Sequence, residues 1–137
     1  TRVIGAQAFE NRNDIEDVYI PKSVETIDFK AFFLCSNLKK VDFEEGIKLK
    51  EINYFTFVGC SKIENIDLPD SLKAIYAYSF GDCSFTKIKI PENVEYLDLY
   101  AIRECYSLKE IELPERLRGE YHWIETYGIK TPKLIFY

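Results

Sequence analysis

Apolar residues return in a fixed order along this chain. From Ser23 the run SVETIDFKAFFLCSNLKKVDF carries them at Val24, Ile27, Ala31, Phe32, Cys35, Leu38, Val41 and Phe43. The third copy has Leu49, Ile52, Thr56, Phe57, Cys60, Ile63, Ile66 and Leu68. The fourth has Leu72, Ile75, Ser79, Phe80, Cys83, Ile88 and Ile90, and the fifth Val94, Leu97, Ala101, Ile102, Cys105, Leu108, Ile111 and Leu113. Self-similarity at such a period marks a stacked-repeat architecture. The units run over about 1–21, 22–44, 45–69, 70–91, 92–114 and 115–137, in one domain spanning 1–137.

The apolar spacing changes inside each unit. From Ala31 through Phe32 and Cys35 to Leu38 the spacing is one, three and three, which predicts a short helix or 3₁₀ turn facing inward. Val41 and Phe43 alternate with polar residues, which predicts a strand. Pro21, Pro69, Pro91 and Pro114 follow the strand positions, and proline has no N–H to prolong a ladder. Six short parallel strands are therefore expected, centred on Tyr19, Asp42, Asp67, Lys89, Glu112 and Ile135. A second, shorter extended segment is expected over Val24 to Ile27 and its equivalents. A unit of one strand and one turn cannot bury its own apolar side. Stacked copies share one continuous core.

The repeat has irregularities. Arg12 stands where later units have cysteine. The third unit is longer, with Glu45-Gly46 positioned to absorb the excess in a turn. The fourth is one residue short after Cys83, which moves Phe85 into the leucine slot. The last unit keeps Leu117, Leu134 and Phe136 but has Glu125 and Gly128 at the Phe and Cys positions, so it reads as a degenerate unit or cap, with Tyr121, Trp123 and Tyr127 available to shield the core. Because the chain opens inside a repeat at Thr1, it reads as a fragment of a longer protein.

These units resemble the BspA-type leucine-rich repeat. Leu108-x-x-Ile111-x-Leu113-Pro114 carries the strand half of that signature, and Val24-x-x-Ile27 with Ala31-Phe32-x-x-Cys35 carries the other half. The resemblance covers nearly the whole chain and implies an α/β-type leucine-rich-repeat right-handed solenoid, predominantly β. It has a parallel sheet on one face and short helical or 3₁₀ turns elsewhere. It further implies a non-enzymatic protein-binding or adhesion module of a cell-surface or secreted protein, with a host surface or matrix protein as the kind of partner. The alternative is a structural spacer in a longer array, with no ligand of its own. Exposed terminal repeats add end-to-end self-association as a further expected contact.

Composition narrows the function classes. The 137 residues are 47% hydrophobic and 30% charged, with a net charge of −5. No basic stripe is available to replace phosphate counterions, so no nucleic-acid partner is expected. No apolar run approaches the roughly 18 residues a membrane helix needs, so no direct membrane insertion is expected. The four cysteines, Cys35, Cys60, Cys83 and Cys105, recur with the repeat. No C-x-x-C pair suggests zinc. They read either as a ladder of buried free thiols or as disulfides between neighbouring coils.

No catalytic set, metal or cofactor is expected. His122, the only histidine, has no evident nucleophile beside it and reads as packing or capping in the last unit. In-register stacking would place Asp42 beside Asp67, but calcium wants more oxygen ligands than this pair supplies. The candidate binding residues instead lie in two outward columns of the strand face: Tyr19, Asp42, Asp67, Lys89 and Glu112 in one, and Lys40, Lys87 and Glu110 in the column before it. That face is either a solvated, charge-paired surface or a concave recognition surface of the kind repeat curvature provides.

Overall fold

The computed structural model describes residues 1–121 and 132–137. Among them the strands in chain order are β1 (Val3–Ile4), β2 (Asp17–Ile20), β3 (Thr26–Ile27), β4 (Lys40–Phe43), β5 (Glu51–Ile52), β6 (Ala74–Ile75), β7 (Lys87–Lys89), β8 (Tyr96–Leu97), β9 (Glu110–Leu113) and β10 (Lys133–Phe136). Every pairing is parallel. The chain is thus a predominantly β leucine-rich-repeat solenoid with few helical residues: 3₁₀ turns at Leu99–Ile102 and Glu115–Leu117, and one α-helical turn, α1 (Arg118–Tyr121).

The short extended segments form the one unbroken ladder, β1-β3-β5-β6-β8. Ile4, Ile27, Ile52, Ile75 and Leu97 are its aligned partners. Alternation turns that apolar column inward, and Ile27, Ile52 and Ile75 are fully buried. The longer strands lie in two separate sheets, β2-β4 and β10-β9-β7.

The expected strand at Asp67 is the exception. Residues 62–69 pair with neither β4 nor β7. Two causes act together. An in-register strand there would set the Asp42 and Asp67 carboxylates side by side, and like charges directly opposite destabilise a ladder. The fourth coil is also one residue short after Cys83. Its Ser84 N–H donates to the Ile63 carbonyl at 3.1 Å, and its Ser84 hydroxyl to the Ser61 carbonyl at 2.5 Å. The coil is thereby tied down upstream of the strand. The extra residues of the third coil do sit in a turn at Glu45-Gly46, where Gly46 has φ +77°.

Turns stack as regularly as strands. The amides of Phe9, Phe32, Phe57 and Phe80 donate to the carbonyls of Ala31, Thr56, Ser79 and Ala101 at 2.8–2.9 Å, each reaching the next coil. The four rings stack in one file inside the core, with Phe32, Phe57 and Phe80 fully buried. Phe85 fills its expected interior slot, edge-on to Phe80.

The cysteines form a second interior file. All four are free thiols and buried. Each Sγ donates to the carbonyl of the stacked phenylalanine one coil back: Cys35 to Phe9 at 3.1 Å, Cys60 to Phe32 at 3.2 Å, Cys83 to Phe57 at 3.5 Å and Cys105 to Phe80 at 3.1 Å. The disulfide alternative is not realised. A small apolar residue with a weak donor suits a site that faces a carbonyl within the core, which accounts for the recurrence of cysteine. Arg12, at the equivalent place in the first coil, instead turns to solvent and makes a two-pronged bond to Asp14.

At the alanine position before these phenylalanines, Thr56 and Ser79 are the substitutes. The Thr56 hydroxyl donates to the Asn53 carbonyl at 2.7 Å, whereas the buried Ser79 hydroxyl has no partner among the described residues. Burying an unsatisfied hydroxyl costs about 1–3 kcal/mol. Ser79→Ala is therefore expected to stabilise the chain by about 1 kcal/mol, read as a higher urea midpoint with an unchanged slope. The same change at Thr56 is expected to be neutral or destabilising.

Candidate functional site

The outward side chains of the longer strands hold most of the residues expected to bind. Tyr19 stands opposite Asp42, Lys87 opposite Glu110, and Lys89 opposite Glu112. Much of the charge is already engaged. Lys40 bonds Asp42 at 2.7 Å along its own strand, and Lys87 bonds Glu112 at 2.6 Å across strands. These carboxylates hold both lysine pKa values above the ordinary range, mainly through the hydrogen bond itself. Lys89 lies over the Tyr137 ring, 4.3 Å from its centroid. Tyr19 remains 62% exposed, with burial of its ring and then Glu44 and Asp42 raising its pKa.

Asp67 does not join this column. The unpaired segment that carries it is flanked by two clefts. One, of about 620 Å³, opens toward Asp17, Lys40 and Asp42. The other, of about 370 Å³, opens toward Lys87, Lys89 and Glu112. Both mix acids and bases on their walls. Among the described residues no group of three or more His, Cys, Asp or Glu side chains could hold a metal ion. None of the helices there is long and apolar enough to cross a membrane. His122, Trp123, Glu125, Tyr127 and Gly128 lie outside the described residues. Tyr121 is buried, and its hydroxyl donates to the Leu97 carbonyl at 2.6 Å.

A different surface carries two files of half-buried and exposed aromatics. Just past the unbroken ladder, Phe29, Phe55, Tyr78 and Tyr100 follow one another coil by coil, with centroids 5.9, 5.1 and 6.1 Å apart; Phe29 meets Phe55 edge-on and the other two pairs are stacked. Beside them Tyr54, Tyr76 and Tyr96 form a second file at 4.9 and 5.4 Å. Tyr54 and Tyr96 are 42% and 48% exposed. Phe55 and Tyr78 hold left-handed backbone, φ +59° and +58°, which bulky residues rarely adopt. The equivalent Gln7 and Lys30 share that conformation, so the coil's own reversal imposes it. In the fifth coil the 3₁₀ turn Leu99–Ile102 takes its place, with the Asp98 side chain accepting from the Tyr100 N–H at 2.8 Å. The strand-face reading missed these aromatics because they fall at four different offsets from the inward Ile or Leu of their coil. Their signal was composition: ten tyrosines and ten phenylalanines in 137 residues, more than one core file can use.

With this geometry in view, a family model described as BspA type leucine rich repeat region matches residues 2–118 in six copies. The chain belongs to the BspA-type leucine-rich repeat family. Two solved structures share the fold of this BspA-type domain. A leucine-rich repeat protein from Bacteroides ovatus ATCC 8483 is 30% identical, with a TM-score of 0.67 over 82% of this chain and 35% of its own. The T. pallidum leucine rich repeat protein is 27% identical, with a TM-score of 0.73 over 81% of this chain and 51% of its own. The BspA-type domain therefore spans between about a third and a half of each of these relatives. No curated protein matches it.

Proposed function

We propose that this chain is a non-enzymatic protein-recognition module carried by a cell-surface or secreted protein. The observation that supports it most is the pairing of BspA-type family membership with rows of solvent-facing side chains held on a stacked scaffold. Repeat scaffolds offer extended surfaces rather than a single converging pocket. The test is saturable binding of the purified chain to a panel of purified matrix and cell-surface proteins, with heat-unfolded chain as control. Binding of one panel member by the folded chain alone supports the reading. Absence of any binding, together with a cytosolic location for the parent protein, overturns it.

A spacer role is favoured by one observation, the internal pairing of Lys40 with Asp42 and Lys87 with Glu112 on the strand face. Exposed ion pairs of this kind are worth only about 0–1 kcal/mol and leave little charge for a partner. Replacing Tyr19, Asp42, Lys89 and Glu112 together separates the two roles. A spacer loses no binding.

A further inference from the structure

The two aromatic files, the second with its rings tilted by 31° and 42°, differ in what lies over them. The outer members of the first file already hold cations of this chain. Lys30 Nζ sits 5.3 Å from the Phe29 centroid and 4.6 Å from that of Phe33, and the Arg103 guanidinium sits 5.4 Å from the Tyr100 centroid. Cations are drawn to ring faces by the negative potential of the π system. Among the described residues no cation lies over Tyr54, Tyr76 or Tyr96. Carboxylates border that file instead. Glu51 acts on Tyr76, and the Tyr96 hydroxyl reaches Asp98 at 3.4 Å. Asp28 lies just beyond, held by the Asn53 amide at 3.3 Å.

The nearby lysines are directed elsewhere. Lys73 pairs with Glu95 at 3.0 Å, and Lys50 acts on Glu25. The phenol pKa values of Tyr76 and Tyr96 are raised, first by burial of the rings and then by these carboxylates. The file is thus a half-exposed π surface with a negative border. Tyrosine also supplies large contact area at low conformational cost, since its side chain has only two rotatable angles.

We propose that Tyr54, Tyr76 and Tyr96, bordered by Glu51 and Asp98, form a docking surface for an arginine-bearing segment of a protein partner. The assignment rests on the protein-recognition reading above and narrows it to one face and one partner chemistry. Guanidinium fits both parts of the surface: it lies flat on an aromatic face and donates forked hydrogen bonds to a carboxylate. The chain's own Arg103 guanidinium already sits over the Tyr100 ring one file away.

The test uses a short fluorescein-labelled Gly-Ser peptide with spaced arginines, titrated with the full chain by fluorescence anisotropy. Citrulline and glutamate versions of the peptide are the references. The arginine peptide is expected to bind, the citrulline peptide to bind about tenfold more weakly or worse, and the glutamate peptide not at all. Combined Tyr54→Ser, Tyr76→Ser and Tyr96→Ser is expected to weaken the arginine peptide by about tenfold or more. Tyr106→Ser removes an 89% exposed tyrosine outside both files and is expected to leave binding unchanged. Asp98→Asn keeps the cap on Tyr100 and is expected to weaken binding and flatten its salt dependence.

Should the triple variant lose its fold, the wild-type chain still decides. Peptide-induced shifts in the tyrosine ring resonances must centre on Tyr54, Tyr76 and Tyr96. Equal affinity for arginine and citrulline peptides, or shifts centred on Tyr19 and Tyr137, overturns the assignment. If that happens while the wild-type chain still binds a panel protein saturably, only the face and partner chemistry fall. If panel binding is absent as well, the recognition reading falls with them.

Discussion

Phe57→Ala is expected to destabilise the chain by about 3–5 kcal/mol, the usual cost of emptying a buried phenylalanine site. Phe57 is fully buried in the middle of its file, 5.3 Å from Phe32 and 5.6 Å from Phe80, with both pairs of rings within 2° of parallel. That spacing is set by the coils: neighbouring parallel strands sit about 4.8 Å apart, and each ring rides on its own coil. Ring–ring attraction adds about 0.5–1.5 kcal/mol per pair at most, so most of the gain is burial. The cavity left by alanine would be walled by two rings fixed to hydrogen-bonded coils, which limits collapse. A domain of this size has about 5–15 kcal/mol in total, so the loss is a large share of it. In a repeat array it also weakens the coupling between the coils on either side. A urea titration checks it. Phe9→Ala, at a half-buried ring contacting one file neighbour, is expected to cost clearly less. Equal losses at Phe9 and Phe57 would contradict the stacked file.

The cysteines provide the second large effect. In the native chain all four thiols are expected to resist an aromatic disulfide reagent at pH 8, and all four are expected to react at once in denaturant. The thiolate is the attacking species, and burial suppresses it. Burial pushes Cys105 up to about 11 and raises Cys35, with Cys60 and Cys83 held well above the ordinary thiol range for the same reason. The sign for stability follows. An unfolded thiol titrates near 8.5. Between that value and the higher folded one, the folded chain holds more protons, so stability falls as pH rises. It is fully present below about pH 8 and declines from about pH 9 upward. Urea midpoints at pH 8 and pH 10 check this, and Cys60→Ala should reduce the difference between them. Reaction of two or more native thiols at the unfolded rate, or recovery of an oxidised pair by intact mass, would contradict it.

How far the sequence carried the fold can be judged residue by residue. Phe32, Phe57 and Phe80 recur beside Cys35, Cys60 and Cys83, and a file of such residues admits one explanation, coils in register. The short segment ending at Ile27 was visible as Val24-x-x-Ile27, although its place in the one unbroken sheet was not. Asp67 had the alternation of a strand, but its pairing depended on the lengths of two neighbouring coils and on the charge across from it. A single unit's pattern contains neither. The tyrosine files were hidden for a related reason. Tyr54, Tyr76 and Tyr96 occupy different offsets in their units and meet only because side chains from adjacent coils lean diagonally. Register is legible in a repeat, whereas lateral reach across coils is not.

The stacking of successive coils is tested most directly by proton–proton NOEs in the folded chain. Close contacts are expected between the backbones of Ile27, Ile52, Ile75 and Leu97 in sequence, and between the rings of Phe32, Phe57 and Phe80, with none between Ile27 and Leu97. A pattern that joins those isoleucines antiparallel, or that leaves the three rings in unrelated surroundings, would contradict the solenoid.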